Sequence, residues 1–445
     1  KAADDASKRL QELARDVVDG IDQATRPQPA EAKPEIAKTD QQPKDQPGFF
    51  KRLWEGTKNL AARAWGGIKW GLGKIWDGIK WIGEKTGITK ALKWAWPKVV
   101  QGFTWFQQNL RWLLFGLKFE PFKTRKVVDD PGDVNFPDFN ELQKAKKEIP
   151  ARADAEKAAL AKLSPEQQKQ YEGLAKLTEK RPLSRWALQS MLLDGRLPGD
   201  KPLRGDGTLL DQLHRMATQD LAPGIKREDL LSDLIPEIEN PVRINQQGKG
   251  TCVAATAQIL IARKHPTEYA RLIADLASPA GETVTVGGPK LKRAPDWADD
   301  SDAGRAIPCR LIQPALMDLG QPLPQPILDY DNTNDKAYIG PIPLGGGLLG
   351  WGSAEINTAL QGRDYDSHMF FHWNRNSLWD KLKKAVEQGK GPIPIGMQWE
   401  DLGGHQVQID KIENGTVHYT NPWGQRETMD EAEFKGYILN AEIPK

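Results

Sequence analysis

The chain has 445 residues, a formal net charge of +2 and two cysteines. That length predicts two or three domains, and two cysteines exclude a disulfide framework, so they do not indicate the compartment. The near-neutral total hides an asymmetry: residues 49–126 hold 16 Lys and Arg against 4 Asp and Glu, which leaves the rest of the chain net acidic and marks the basic stretch as a separate module.

Residues 1–48 form the first region. Lys1 to Asp22 is a short, highly charged helix candidate, and Arg26 to Gly48 carries Pro27, Pro29, Pro34, Pro43 and Pro47 among polar residues, which predicts an extended linker. The chain starts at Lys1 without a methionine or an apolar leader, which predicts a processed or trimmed end.

Residues 49–126 hold nine of the 16 tryptophans and repeat every 11 residues through Trp54, Trp65 and Trp76, with Trp70 and Trp81 at the same interval. Eleven helical steps make about three turns, so equivalent positions stay near one side of a helix. Lys58, Lys69 and Lys80 fall beside or opposite that side. Eight glycines between Gly56 and Gly87 each cost roughly 1 kcal/mol against alanine, so this amphipathic helical region is expected to order on a surface or partner. Tryptophan and lysine on opposite sides suit an anionic membrane interface, and the alternative is a helical hairpin that buries its tryptophans against protein. Basic residues interrupt the stretch too often for a spanning helix, and no nucleic-acid readout motif accompanies it, so no nucleic acid is expected.

Residues 127–239 read as a helical connector. Glu120 to Ile149 is expected to be loop, Ser164-Pro165-Glu166-Gln167 is a helix start with a capping box, and helices follow near Arg185 to Leu193, Thr208 to Thr218 and Lys226 to Leu234. A structural cap packed on the region that follows fits these helices.

Residues 240–445 carry the chemistry. Cys252 opens an apolar helical run through Lys264, a position where unsatisfied N–H groups and the helix dipole lower a thiol pKa. Gly248 and Gly250 are expected to let the backbone bend around the sulfur. Gln246 can place an amide N–H beside that of Cys252 to hold an oxyanion. Pro392 to Trp399 and His405 to Ile412 read as strands, and Asn414-Gly415 as a hairpin turn before Thr416 to Thr420. His405 then opens one strand and Asn421 ends the next, so a hairpin can return the amide to the imidazole, with Trp423 as a shield.

A cysteine in an apolar helix is ordinarily an inert core residue, and a strand histidine ordinarily a structural one; the conjunction of these residues in one order argues otherwise. Gln246, Gly250, Cys252, Gly404-His405 and Asn421-Pro422-Trp423-Gly424 resemble the papain-like cysteine peptidases, and the Asn-Pro-Trp-Gly form is most similar to the calpain branch. The resemblance implies Cys252 as nucleophile, His405 as general base and acid, Asn421 as the residue orienting the imidazole, Gln246 in the oxyanion hole and Trp423 as indole cover. It covers residues 240–445, implies a propeptide-like cap as the alternative reading of residues 127–239, and departs at Val253, where the family has an aromatic residue, and in lacking a second cysteine in the motif. The fold expected is α+β, a papain-like two-lobed hydrolase preceded by the helical tryptophan-rich region.

His418 is the rival base, His368 and His372 read as structural, and Cys309 reads as a buried hydrophobe. The acidic run Asp299 to Asp302 lacks the spacing of a calcium loop, so no metal and no cofactor are expected. The partners expected are a protein or peptide substrate and an anionic membrane surface. The architecture suits a secreted or delivered bacterial effector. The same triad also serves deamidation or acyl transfer, and a membrane-active arm processed by its own hydrolase is a further alternative.

Overall fold

A computed structural model describes residues 126–129, 139–299, 304–321, 329–339, 342–345, 347–348, 350–399 and 404–445. These belong to one unit of the chain, residues 111–445. Residues 1–48, and residues 49–126 apart from the backbone at Lys126, lie outside the described residues.

The architecture mixes helix and sheet. After one short strand the chain is helical: α1 (Phe139–Ala151), α2 (Ala153–Leu160), α3 (Pro165–Thr178), α4 (Pro182–Leu193), α5 (Leu209–Thr218) and α6 (Arg227–Glu239). The capping box at Ser164 forms as its sequence predicts, with Ser164 Oγ accepting from Gln167 N at 3.2 Å and Gln167 Oε1 from Ser164 N at 3.1 Å. Thr208 and Asp211 cap α5 in the same reciprocal way. α7 (Cys252–Lys264) and α8 (Pro266–Ala277) follow, then α9 (Ile307–Leu319).

Every residue of α7 from Cys252 to Ala262 is buried. Such a helix lies at a centre, and its polar side chains need partners. Thr256 Oγ1 donates to the Gln406 carbonyl at 3.2 Å, and Gln258 Nε2 to the Tyr269 hydroxyl at 2.7 Å. Tyr171, Leu188, Leu213, Leu234, Ile259, Leu272 and Leu316 belong to one apolar core, which also contains Cys252. Helices α3 to α6 therefore share a core with the cysteine helix, where each fully buried Leu or Ile contributes about 1.5–3 kcal/mol.

Apart from that first strand, the main sheet is built from later residues. β7 (Tyr365–Met369), β8 (Ile393–Gln398), β9 (Gly404–Glu413), β10 (Thr416–Asn421), β11 (Gln425–Asp430) and β12 (Ile438–Pro444) form one antiparallel sheet with β1 (Lys126–Asp129), in the order β1-β11-β10-β9-β8-β12-β7. Alternate residues Ile393, Ile395, Met397, Val407, Ile409, Val417 and Tyr419 bury one face against Trp379 and Leu382 of α11 (Arg375–Glu387) and Phe434 of α12 (Glu431–Tyr437). This is a second apolar core.

Across the sheet, α7 runs beside β9, with Thr256 on Gln406 and Arg263 on the Asp410 and Thr420 side chains. Asn414 and Gly415 take φ of +51° and +73°, the geometry of the hairpin turn their sequence predicts.

Three differences from the sequence reading stand out. The stretch expected to be loop, 120–149, contains β1 and most of α1: a four-residue strand gives no periodic signal, and Lys126 and Val127 pair with Thr428 and Glu427 of β11, far along the chain. A small antiparallel sheet of β4 (Asp329–Asp331), β5 (Lys336–Ile339) and β6 (Ile342–Gly345) was not expected, nor was the hairpin of β2 (Glu282–Val284) and β3 (Lys290–Lys292). The third is a helix, α10 (Gly350–Gln361), in a glycine-rich stretch whose period is weak.

Candidate active site

The turn before α7 is fastened to the hairpin that follows β10. Asn245 Oδ1 accepts from Gln247 N at 2.7 Å, which holds Gln247 at φ +54°. Asn245 Nδ2 donates to the Trp423 carbonyl at 2.9 Å, and Gln246 N to the Pro422 carbonyl at 2.8 Å. The bend therefore uses Gln247 and an Asx contact rather than the glycines expected to supply it. Gly250 serves differently: a Cβ there would lie 3.1 Å from a carboxylate oxygen of Asp335.

Gln246 is buried, and its Nε2 donates to the Lys249 carbonyl at 2.7 Å. A carboxamide nitrogen has two hydrogens, so one remains for a second acceptor. Gln246 Oε1 has no hydrogen-bond partner. The side chain thus lies on the same turn as the Cys252 amide, six residues away in sequence.

The hairpin orients the histidine. Asn421, Pro422, Trp423 and Gly424 link β10 to β11 through a three-residue loop, closed by Gly424 N–H on the Asn421 carbonyl at 3.1 Å with Gly424 at φ +81°. Asn421 Nδ2 donates to Glu427 Oε1 at 2.7 Å, and the Tyr419 hydroxyl donates to Glu427 Oε2 at 2.7 Å. A carboxylate only accepts, so the Asn421 amino group must face Glu427 and its oxygen must face His405. Asn421 Oδ1 lies 3.0 Å from His405 Nε2. A carbonyl oxygen also only accepts, so Nε2 carries the proton and Nδ1 is the basic nitrogen.

Two indoles enclose the imidazole. Trp423 stacks on His405 with centroids 4.6 Å apart and planes 23° apart, and Trp399 lies tilted against it at 4.5 Å. Trp399 and Trp423 meet edge to face at 5.3 Å. The His405–Asn421 bond is buried beneath them.

Cys252 opens α7 as its sequence predicts, 8% exposed. Its thiol pKa is pushed up, by burial first, against the lowering expected from the helix terminus. The amides of Gln406, Val253 and Cys252 itself oppose that rise, and the charge of Asp335 adds to it. The Gln406 amide adjoins His405, so the thiol and the imidazole reach neighbouring backbone from α7 and β9.

The remaining candidates separate from this site. His418 lies in β10 beside Glu413, its Nε2 3.4 Å from the carboxylate. It is three residues from Asn421, hence on the other side of the strand. His368 Nε2 accepts from Lys381 Nζ at 2.9 Å, and His372 packs edge-on against Trp373. Cys309 is buried in α9, donating its thiol to Glu237 Oε1 at 3.3 Å. Among the described residues no group of His, Cys, Asp and Glu is arranged to hold a metal ion, and no helix is long and apolar enough to cross a membrane. Trp54, Trp65, Trp70, Trp76, Trp81, Lys58, Lys69 and Lys80 lie outside the described residues.

Glu427, Tyr419 and Trp399 were not singled out by sequence reasoning. Glu427 pairs directly with Tyr419 across β10 and β11, so period two puts it on the same face as Asn421. That register was the available signal. Comparison of the sequence with protein-family models gives no match, and comparison with curated proteins gives none.

Proposed function

We propose that this protein is a cysteine peptidase of papain-like, two-lobed build that hydrolyses peptide bonds through Cys252, His405 and Asn421. The observation that carries the reading is the polar chain from Glu427 through Asn421 to His405, which fixes Nε2 as the protonated nitrogen and leaves Nδ1 to take the thiol proton. A histidine kept only for packing has no need of a specified tautomer. The separate helical and sheet cores, with the cysteine in one and the histidine strand in the other, support the two-lobed build.

In the first half-reaction, His405 Nδ1 takes the Cys252 proton and the sulfur attacks the peptide carbonyl carbon. The oxyanion is held by the Cys252 amide and the Gln246 Nε2 hydrogen not given to Lys249. Imidazolium then protonates the leaving nitrogen, the C–N bond breaks and a thioester remains. Water, deprotonated by His405, attacks that thioester, and the thiolate leaves and recovers its proton. The indoles of Trp399 and Trp423 keep bulk water from the His405–Asn421 bond, which strengthens it.

The basic, tryptophan-rich arm of residues 49–126 carries the enzyme to an anionic membrane surface or a partner, in keeping with a secreted or delivered effector. Its charge excess and its 11-residue tryptophan repeat support this reading. The test of the hydrolase is peptide cleavage by the full chain and by Cys252→Ala, with thermal melting of both. Cleavage is expected to fall at least about a thousandfold in the variant, with melting little changed. Undiminished cleavage contradicts the assignment, and release of ammonia without chain cleavage redirects it to deamidation.

A further inference from the structure

The hairpin of β4 and β5 reaches the turn that carries the nucleophile. Its tip holds Asp335 at φ +53°, with Oδ2 accepting from Gly250 N–H at 2.7 Å and Oδ1 from the Tyr330 hydroxyl at 2.5 Å. Lys249 Nζ donates to the Thr333 carbonyl of the same tip at 3.3 Å. Two consecutive residues of the catalytic turn are thus tied to one inserted hairpin. Asp335 is only half-buried, whereas Tyr330 and Lys249 are buried.

Nothing in thiol chemistry asks for this carboxylate. Its charge works against the thiolate, raising the Cys252 pKa. The absence of a Cβ at Gly250 nevertheless gives it room beside the backbone. A negative charge that opposes the nucleophile yet is held by two hydrogen bonds calls for another task.

We propose that Asp335 selects the substrate, favouring lysine or arginine at the residue that supplies the scissile carbonyl. The inference rests on the hydrolase reading. With the carbonyl oxygen directed at Gln246 Nε2 and the Cys252 amide, and the leaving nitrogen directed at His405, the acyl-side residue lies along the turn from Gln246 to Cys252. Asp335 is the carboxylate bonded to that turn. A carboxylate offers about four lone-pair sites and Asp335 uses two, so a cationic head can still be accepted. The tip carries both signs: Asp296 and Asp299 accept from Thr333 and Asp331 from Asn334, while Lys249 Nζ is engaged by the Thr333 carbonyl and Lys336 follows Asp335 in the chain.

Asp335→Asn tests this with little disturbance. Asparagine tolerates the left-handed conformation. Its oxygen can accept from Gly250 N–H while its amino group donates to a reversed Tyr330 hydroxyl. The probes are two peptidyl chloromethyl ketones, identical except for arginine or norleucine next to the reactive carbon. The rate of Cys252 alkylation is followed by mass spectrometry on the full chain. The wild-type protein is expected to favour the arginine probe on the order of tenfold, the scale of one charge-assisted contact, and Asp335→Asn to bring the ratio close to one. Equal rates in the wild type, or a ratio preserved while both rates fall in the variant, overturn the inference and leave Asp335 as a fastener of the turn. Failure of Cys252 to react with either probe, while the denatured chain reacts, overturns the hydrolase reading as well and is distinguishable from reaction without preference.

Discussion

Asn421 could present either end of its carboxamide to His405, and the Glu427 carboxylate decides which. Removing that carboxylate in Glu427→Ala leaves the Asn421 amino group and the Tyr419 hydroxyl buried without an acceptor. The expected cost is about 1–3 kcal/mol of stability together with a roughly tenfold or greater fall in kcat. Glu427→Gln, which can accept from Asn421, is expected to recover most of both, as urea melts and steady-state kinetics will show; equal losses in the two variants contradict the orienting role. The thiol supplies a second prediction at this scale. Because burial holds the Cys252 pKa above its ordinary value, its neutral form is favoured at neutral pH, and alkylation by iodoacetamide should keep rising with pH beyond the usual thiol range. A plateau already at pH 6 would show that an imidazolium, not burial, governs the sulfur. Cys252, His405 and Asn421 are legible in the sequence as residue types in a sequence order; Glu427 and Trp399 are not, because their roles depend on strand register and ring packing.

The elements that bear these residues follow from their sequences to different degrees. α7 announces itself by an unbroken apolar run and β9 by alternation, and the hairpin between β9 and β10 by Asn414-Gly415. β1 and β4 to β6 are strands of three or four residues, too short to show a period, and their partners are brought together only by the fold. The helices from α3 to α6 were legible, but their relation to the cysteine helix was not, since amphipathic spacing says which face is buried and not against what. That relation has a measurable consequence. Leu234 of α6 is fully buried in the core that contains Cys252, so Leu234→Ala should cost about 2–5 kcal/mol in chemical denaturation. Loss of a few tenths only would mean that α6 is a detachable cover.

At the scale of the whole fold, Glu237 of α6 and Glu442 of β12 are buried carboxyls that the candidate site does not use. Burial pushes Glu237, between Tyr269 and Cys309, to about 8, and Glu442, beside Asn440 on β12, to about 8. The folded state holds these protons and the unfolded chain, with ordinary carboxylates near 4.5, releases them. Their contribution is therefore fully present below about pH 4.5 and is lost as pH rises towards 8. Glu237→Gln should flatten the fall in melting temperature between pH 5 and 8, and an unchanged slope would show that Glu237 ionises freely. On the proposed function, Cys252 is a nucleophile and Cys309, the other buried thiol, is packing. The direct measurement is labelling of the native full chain with a thiol-directed epoxide peptide, with the adduct located by mass spectrometry. A single adduct at Cys252, lost in His405→Ala, with Cys309 untouched, is expected; no adduct on Cys252, or equal labelling of both cysteines, contradicts the assignment.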